Sequence, residues 1–200
     1  MFTIIPTKPF AEAKSRLASI LSPTHRYQLS QYLLQHTIHV SQQVSEVVVI
    51  SRDTQVRRLA KQLGAWALVE AVPDLNQAIR QAMAWVSQQS GQAVLILPSD
   101  LPLLQLATLQ NIIQLGQRAP TVVIAPCHRH EGTNGLFMHP IGLIETAFGV
   151  DSFAKHQAAS HAIGLEPHIY HAPDIAFDLD WPSDWAMLNS VQLVSVQPVS

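Results

Sequence analysis

The 200-residue chain is short of cysteine, of charge and of long apolar runs. Its single cysteine, Cys127, excludes an internal disulfide and fits the reducing environment of the cytoplasm. Charged residues make up only 13% of the chain, well below the usual share for a soluble domain. No apolar run reaches the roughly 18 residues that a membrane-spanning helix needs. We therefore expect a cytoplasmic protein with one domain over residues 1–200 and no membrane partner.

Several well-known motifs are also missing. The chain has neither the Walker A pattern nor the Gly-x-Gly-x-x-Gly fingerprint, which argues against P-loop ATPases and dinucleotide enzymes. It has no Gly-x-Ser-x-Gly elbow, and its histidines lack the spacing of a zinc site. A net charge of −2 provides no general positive field for a nucleic acid. Any anionic ligand must therefore be held by a local cluster of cations.

What the chain does contain is a regular alternation of short apolar and longer amphipathic segments. This alternation predicts a mostly parallel sheet with helices on both faces, a three-layer α/β/α fold. The later segments predict a strand near 135–140, a helix at 151–164 and, within 174–188, a strand that enters a last helix. We expect residues 191–200 to be poorly ordered. The earlier predicted strands are 2–6, 46–51, 65–70, 92–104 and 121–126, and the helices are 23–43, 54–64, 74–91 and 105–115.

Three of the 12 lysine and arginine residues lie in one loop, directly after the first predicted strand. They are Lys8, Lys14 and Arg16. In open α/β sheets, ligands bind at the carboxyl ends of the strands, where this loop begins. Ammonium and guanidinium groups together could wrap a polyphosphate. The alternative is a solvated charged loop, but a chain with so little charge favours the anion-binding interpretation.

Carboxylates follow two other apolar segments. Asp100 ends the most apolar predicted strand, where a carboxylate is costly unless it is paired. It is a candidate ligand for Mg²⁺, and the alternative is that it caps the helix after Leu104. Asp178 and Asp180 are two residues apart on a predicted strand and would face one side. Together with Asp100 they form a candidate set for one or two Mg²⁺ ions in phosphoryl or nucleotidyl transfer.

Two turns of small residues, "EGTNG" (131–135) and "FGVDSF" (148–153), would let the backbone approach an anion. Candidate donors to a small carboxylate or phosphate are Thr133, Gly149 and Ser152. Ser152 also lies near a predicted helix N-terminus, where anions bind. An ordinary turn and an ordinary helix cap explain these segments equally well.

Taken in order, the strings "IPTKPFAEAKSRL", "DLNQAI", "ILPSDLPLL", "EGTNGLFM", "FGVDSFAKH" and "FDLDWPSD" resemble a known family. It comprises the guanylyltransferases of deazaflavin coenzyme F-420 biosynthesis, which act on 2-phospho-L-lactate or phosphoenolpyruvate. The resemblance runs over residues 5–184. It implies the nucleotide-diphospho-sugar transferase-like fold, GTP as substrate, Mg²⁺ as cofactor and a phosphorylated three-carbon acid as acceptor.

The resemblance also implies a role for each matching residue. The triphosphate would contact the three cations, the nucleotide pocket would include Asn76, and the acceptor acid would contact the small-residue turns. The chain departs from the family pattern at Glu131, where the family has Asp, and at Val150 and Asp151, where the family has small uncharged residues. The implied set is Lys8, Lys14 and Arg16 for triphosphate, Asp100, Asp178 and Asp180 for Mg²⁺, and Thr133, Gly149 and Ser152 for the acceptor.

Two alternatives remain open at this point. A related nucleotidyltransferase could use another nucleotide or an acceptor such as 3-phosphoglycerate. In the second alternative, the protein binds a nucleotide without catalysing a reaction. The low-charge surface is also compatible with a homodimer.

Overall fold

The structure is a computed structural model that describes residues 1–190. Residues 191–200, for which the sequence predicts poor order, lie outside the described residues. Seven strands form one sheet in the order β3-β2-β1-β4-β6-β5-β7. Within residues 1–190, only the two pairings of β6 are antiparallel, so the prediction of a mostly parallel sheet is confirmed. The strands are β1 Phe2–Pro6, β2 Glu46–Ser51, β3 Trp66–Val69, β4 Val94–Ile96, β5 Thr121–Pro126, β6 Thr133–His139 and β7 His168–Ile169.

Helices cover both faces of the sheet, as the α/β/α prediction requires. Adjacent residues of β1 show the two layers: Ile4 packs with Ile79 on one face, and Ile5 packs with Leu34 on the other. No described helix is both long and apolar enough to cross a lipid bilayer. The helices are α1 Pro23–Gln42, α2 Thr54–Gln62, α3 Leu75–Gln88, α4 Leu106–Leu115, α5 Ser152–Ala162, α6 Pro173–Ala176 and α7 Pro182–Ser190.

Two strand predictions were wrong. The strand expected over 92–104 is only Val94–Ile96, and the residues that follow it leave the sheet at Pro98, since proline cannot donate to a strand ladder. The strand expected to start at 174 is instead the short helix α6 followed by irregular chain. Here the buried side-chain amide of Asn134 donates to the carbonyls of Ile175 and Ala176, both at 3.0 Å. A side chain therefore satisfies backbone groups that a neighbouring strand would otherwise pair.

Gly116 ends α4 where the backbone meets a buried aromatic ring. A Cβ at this position would lie 2.0 Å from Cε1 of Phe137, which is 2% exposed. We expect Gly116→Ala to lower the free energy of unfolding by about 1–3 kcal/mol, as other overpacked cores do. Denaturant titration measures this change in the free energy of unfolding. Gln117→Ala, at the next and exposed position, is the control. Equal midpoints for the two variants would contradict the expected clash.

Candidate functional site

A cleft of about 440 Å³ opens at the carboxyl ends of four neighbouring strands, β3, β2, β1 and β4. The loop after β1 contributes most of its lining, and the segment after β4 contributes Asp100. This is the edge at which open α/β sheets bind ligands. Five residues predicted from the sequence line the cleft: Lys8, Lys14, Arg16, Asp100 and Asp180.

Lys14 lies at the centre of this group. Its Nζ donates to Oδ2 of Asp100 at 2.6 Å and to Oδ1 of Asp180 at 3.1 Å, and its side chain is only 6% exposed. Arg16 donates from Nη1 to Oδ2 of Asp180 at 2.9 Å, and its guanidinium group lies 4.7 Å from the ring centroid of Trp181. Residues from the two ends and the middle of the chain therefore meet in one ion-pair network.

The charges of this network shift one another's pKa values. Burial alone would lower the pKa of Lys14, but Asp100 and Asp180 outweigh it and the pKa is raised. Burial raises the pKa of Asp100 against the opposing effect of Lys14, and Asp180 and Asp178 add to the rise. The pKa of Asp180 is lowered because Lys14, Arg16 and Lys8 together overcome its burial. Lys14 therefore stays charged, and three cations face two carboxylates at this end of the cleft.

The loop that carries Lys14 is fixed on both sides. Phe10 and Leu17 are buried, and the backbone N–H of Phe10 donates to Oδ2 of Asp53 at 3.1 Å. Between these anchors, Lys14 adopts a left-handed backbone conformation with φ of 56°, which is unfavourable for a residue with a Cβ. A freely solvated loop would not bury its lysine, so the solvated-loop alternative is wrong for Lys14.

Asp100 does not cap the following helix. The N-cap of α4 is Gln105, and the carboxylate that binds the start of this helix is Asp174, which accepts from Gln105 N at 3.0 Å and from Thr108 Oγ1 at 2.9 Å. The alternative interpretation of Asp100 is therefore wrong. Its backbone carbonyl accepts from Leu179 N at 3.1 Å, which holds the segment before α7 against the loop after β4.

Asp178 and Asp180 lie in irregular chain between α6 and α7, not on the strand that the sequence predicts, and they bind different partners. Asp178 Oδ1 accepts from Asn134 Nδ2 at 3.3 Å and lies 3.4 Å from His128 Nδ1. The backbone of Asp180 is held by the buried Asp184, whose Oδ2 accepts from Asp180 N at 2.9 Å and which also binds Arg129. Only Asp180 of the pair reaches Lys14.

Two carboxylates on a cleft are suitable ligands for a magnesium ion. In the part of the chain that the structure describes, no three His, Cys, Asp or Glu side chains are arranged to hold a metal ion. Mg²⁺ commonly uses one or two protein carboxylates together with substrate phosphates and water. Asp100 and Asp180 fit this pattern because both line the cleft. The contribution of Asp178 stays a prediction.

The small-residue turns also converge, beside the cleft. Thr133 N donates to Ser152 Oγ at 2.9 Å, and Ser152 N donates to the carbonyl of Gly149 at 3.2 Å. The adjacent Phe148 lines the cleft itself. The three residues predicted to bind an acceptor acid are thus neighbours in space, and their role in binding stays a prediction.

Sequence-based reasoning missed His156, which is fully buried on α5 against these turns. Ala147 N donates to its Nε2 at 3.0 Å, so its Nδ1 carries the proton and donates to Thr133 Oγ1 at 3.0 Å. Burial lowers the pKa of His156 to about 4, so the ring is neutral at pH 7. Because the histidine is the donor, the hydroxyl hydrogen of Thr133 is left to bind another acceptor.

Asn76 holds the same loop from α3. Its Nδ2 donates to the carbonyl of Phe148 at 3.0 Å, and its Oδ1 accepts from Phe148 N at 2.8 Å. The side chain thus fixes a residue that lines the cleft. Direct contact between Asn76 and a nucleotide stays a prediction.

Three charged cleft residues were missed by the sequence-based reasoning: Glu12, Arg52 and Glu70. Arg52 pairs through Nη2 with Glu12 and through Nη1 with Glu70 Oε2 at 3.5 Å. Arg52 and Glu70 directly follow β2 and β3, so the strand-end rule that drew attention to Lys8 could have found them.

The sheet and its strand-end cleft define an α/β protein with a nucleotide-diphospho-sugar transferase-like fold. A crystal structure described as a nucleotide-diphospho-sugar transferase, from Desulfovibrio desulfuricans G20, superposes with a TM-score of 0.78. The superposition covers 98% of this chain and 88% of that one, and at 14% identity it shows the fold alone. The predicted nucleotide-diphospho-sugar transferase-like fold is therefore confirmed.

The sequence comparisons identify the family. The family model described as "Guanylyl transferase CofC like" matches residues 1–189, so the chain belongs to this family. A phosphoenolpyruvate guanylyltransferase of Rubrobacter xylanophilus is 32% identical over 200 residues, which cover 99% of this chain and 98% of that one. A 2-phospho-L-lactate guanylyltransferase of Methanocaldococcus vulcanius is 32% identical over 188 residues, 92% of this chain and 82% of that one.

Proposed function

We propose that the protein is a guanylyltransferase of coenzyme F-420 biosynthesis that transfers GMP from GTP to a small phosphorylated three-carbon acid. Membership of the guanylyl transferase family supports this function, as do relatives named for phosphoenolpyruvate and 2-phospho-L-lactate. The observation that carries the proposal is Lys14, which is buried between Asp100 and Asp180 at the carboxyl ends of the strands. A cation and two carboxylates held together there suit a magnesium nucleotide.

In the proposed reaction, a phosphate oxygen of the acceptor attacks the α-phosphorus of GTP. A new P–O bond forms, the bond between the α-phosphorus and the bridging oxygen breaks, and pyrophosphate leaves with that oxygen. Both reactants are anions, so the main task of the protein is to offset their repulsion and align them. Lys8, Lys14 and Arg16 supply the positive charge for this task.

No side-chain nucleophile is needed for this transfer. Asp100 and Asp180 would hold Mg²⁺, which supplies charge neutralisation on the phosphates when it is bound. Lys14 and Arg16 stabilise the charge that develops on the departing pyrophosphate.

Thr133, Gly149 and Ser152 are proposed to bind the acceptor acid beside the cleft. The hydroxyl hydrogen of Thr133 is available because His156 donates to its oxygen. The departures from the family at Val150 and Asp151 are exposed, with Val150 at 79%. Solvent screens a charge at the surface, so Asp151 is compatible with an anionic acceptor.

The test is incubation with GTP and Mg²⁺ and, separately, phosphoenolpyruvate, 2-phospho-L-lactate or 3-phosphoglycerate. We expect mass spectrometry to detect a guanosine diphosphate-linked acid with one of them, together with an equal amount of pyrophosphate. Parallel reactions with ATP, CTP and UTP test the nucleotide. Binding of GTP without pyrophosphate release for all three acids would contradict the proposal and favour the non-catalytic alternative.

A further inference from the structure

The cleft has a second end with different chemistry. Lys14 and Asp100 form the end at β1 and β4, while Arg52 and Glu70 line the cleft after β2 and β3. From β4 to β3 the sheet crosses three strand spacings, about 14 Å at about 4.8 Å each. A nucleotide whose triphosphate lies at Lys14 would therefore extend its base toward Glu70.

At that second end, Glu70 is positioned to bind a ligand. Its side chain is only 10% exposed, yet it lines the cleft. Its contacts within the described residues all use Oε2, which accepts from Arg52 N at 3.2 Å and from Arg52 Nη1 at 3.5 Å. The second oxygen, Oε1, has no protein partner in the described part of the chain. Backbone and side chain of Arg52 thus hold the carboxylate through Oε2, but only at 3.2 and 3.5 Å, the long end of the hydrogen-bond range. Since an ionised carboxylate has about four lone-pair sites, Oε1 and Oε2 together can still accept from a ligand.

The surroundings suit the flat face of a base. Pro73 and Leu75 line the cleft beside Glu70, and Phe148 lines it from the loop that Asn76 holds. Apolar side chains next to one buried polar group are typical of sites that stack a ring and read its edge.

A carboxylate discriminates among the four bases by its acceptor atoms. Guanine presents two adjacent donors, N1–H and the N2 amino group, which one carboxylate can bind together. Adenine and cytosine each place an acceptor nitrogen beside their single amino group, which a carboxylate repels. Uracil has one N–H between two carbonyl oxygens. Only guanine matches both carboxylate oxygens.

We propose that Glu70 is the residue that selects guanine, by accepting from N1–H and the N2 amino group, and that Arg52 positions its carboxylate. The proposal rests on the guanylyl transfer proposed above. It goes beyond that function because it assigns the choice of base to one side chain.

The test replaces the carboxylate by an amide and GTP by xanthosine triphosphate. Xanthine keeps N1–H but has a carbonyl in place of the N2 amino group, so a glutamine can accept from N1–H and donate to that carbonyl. We expect Glu70→Gln to shift the ratio of kcat/KM for GTP to that for xanthosine triphosphate by ~100-fold toward xanthosine triphosphate, since hydrogen bonds to charged groups are exchanged. An unchanged ratio in a folded variant would overturn the assignment.

Glu12→Gln is the matched control, because Glu12 is the other carboxylate that pairs with Arg52. It should leave the ratio between the two nucleotides unchanged. If it shifts that ratio as much as Glu70→Gln does, the discrimination belongs to Arg52 and the assignment fails.

The unaltered protein provides a second measurement that does not depend on a variant. Inosine triphosphate lacks the N2 amino group, and we expect its kcat/KM to be at least ~10-fold below that of GTP. Equal use of the two nucleotides would overturn the role of Glu70 while leaving guanylyl transfer in place. Absence of transfer from GTP with every acceptor would instead refute the proposed function.

Discussion

Asp100→Asn should reduce the rate of guanylyl transfer by on the order of 10³-fold and leave the fold intact. Asparagine keeps the shape of the side chain but removes the charge that pairs with Lys14 at 2.6 Å and that would hold Mg²⁺. Loss of a metal's charge stabilisation costs several kcal/mol in the transition state, which corresponds to about this factor. Initial rates of pyrophosphate release measure the effect, and calorimetric titration of Mn²⁺ in the presence of GTP reports metal affinity independently of turnover.

Asp174→Asn is the matched control for Asp100→Asn. Asp174 is also a carboxylate with polar partners, but it lies on α6 and binds Gln105 N and Thr108 Oγ1 at the start of α4, away from the cleft lining. We expect this variant to lose about 1 kcal/mol of stability, because hydrogen bonds to a charged acceptor become bonds to a neutral one, with an unchanged rate per folded molecule. A near-normal rate for Asp100→Asn would remove Asp100 from the chemistry.

Lys14→Met should weaken GTP binding by ~10–100-fold and reduce turnover as well. The substitution keeps the apolar length of the side chain and removes an ammonium group that is positioned for charge-assisted hydrogen bonds to phosphate. Such bonds contribute about 1.5–3 kcal/mol, which sets the expected range. Isothermal titration with GTP measures the affinity, and Lys61→Met on the exposed side of α2 is the control. Unchanged affinity would show that Lys14 does not contact the nucleotide.

The same Lys14→Met variant should also acquire a pH-dependent stability. Without the ammonium group, Asp100 and Asp180 lack their shared counter-ion, so the pKa of at least one carboxylate rises further. A carboxyl whose pKa is raised in the folded state binds more protons there, so stability falls as pH rises through that pKa. The deficit in unfolding free energy relative to the unaltered protein should therefore shrink as pH is lowered from 7 to 5. A deficit that is constant over this range would contradict the shared-counter-ion role.

The sequence predicts the sheet well where local preference and burial agree. The bounds of β1, β2 and β5 match the apolar runs 2–6, 46–51 and 121–126, because these runs consist largely of β-branched and other apolar residues buried in the sheet. It fails at 174–180, where the apolar alternation resembles a strand. That segment is held by a distant amide, from Asn134, and a contact over 41 residues leaves no local pattern.

In the candidate site, too, the residues with a local sequence signal could be predicted, and the roles that depend on tertiary contacts could not. The basic loop and Asp100 could be found from the sequence because they follow strands and are unusual in this chain. The roles of Asn76 and His156 could not, because each depends on a backbone partner brought close by the fold, Phe148 and Ala147. Lys14 was predicted to bind phosphate, but its bond to two carboxylates 86 and 166 residues away follows only from the tertiary structure.

Asp184 holds the backbone of Asp180, and this contact determines when the ion-pair network can form during synthesis. Asp184 is 1% exposed and accepts from the backbone N–H groups of Asp180 and Trp181, so α7 anchors one wall of the ion-pair network. A ribosome translates Lys14 and Arg16 well before this anchor, since Asp184 follows Arg16 by 168 residues. The nascent chain therefore cannot complete its charged pocket until Asp184 has been added.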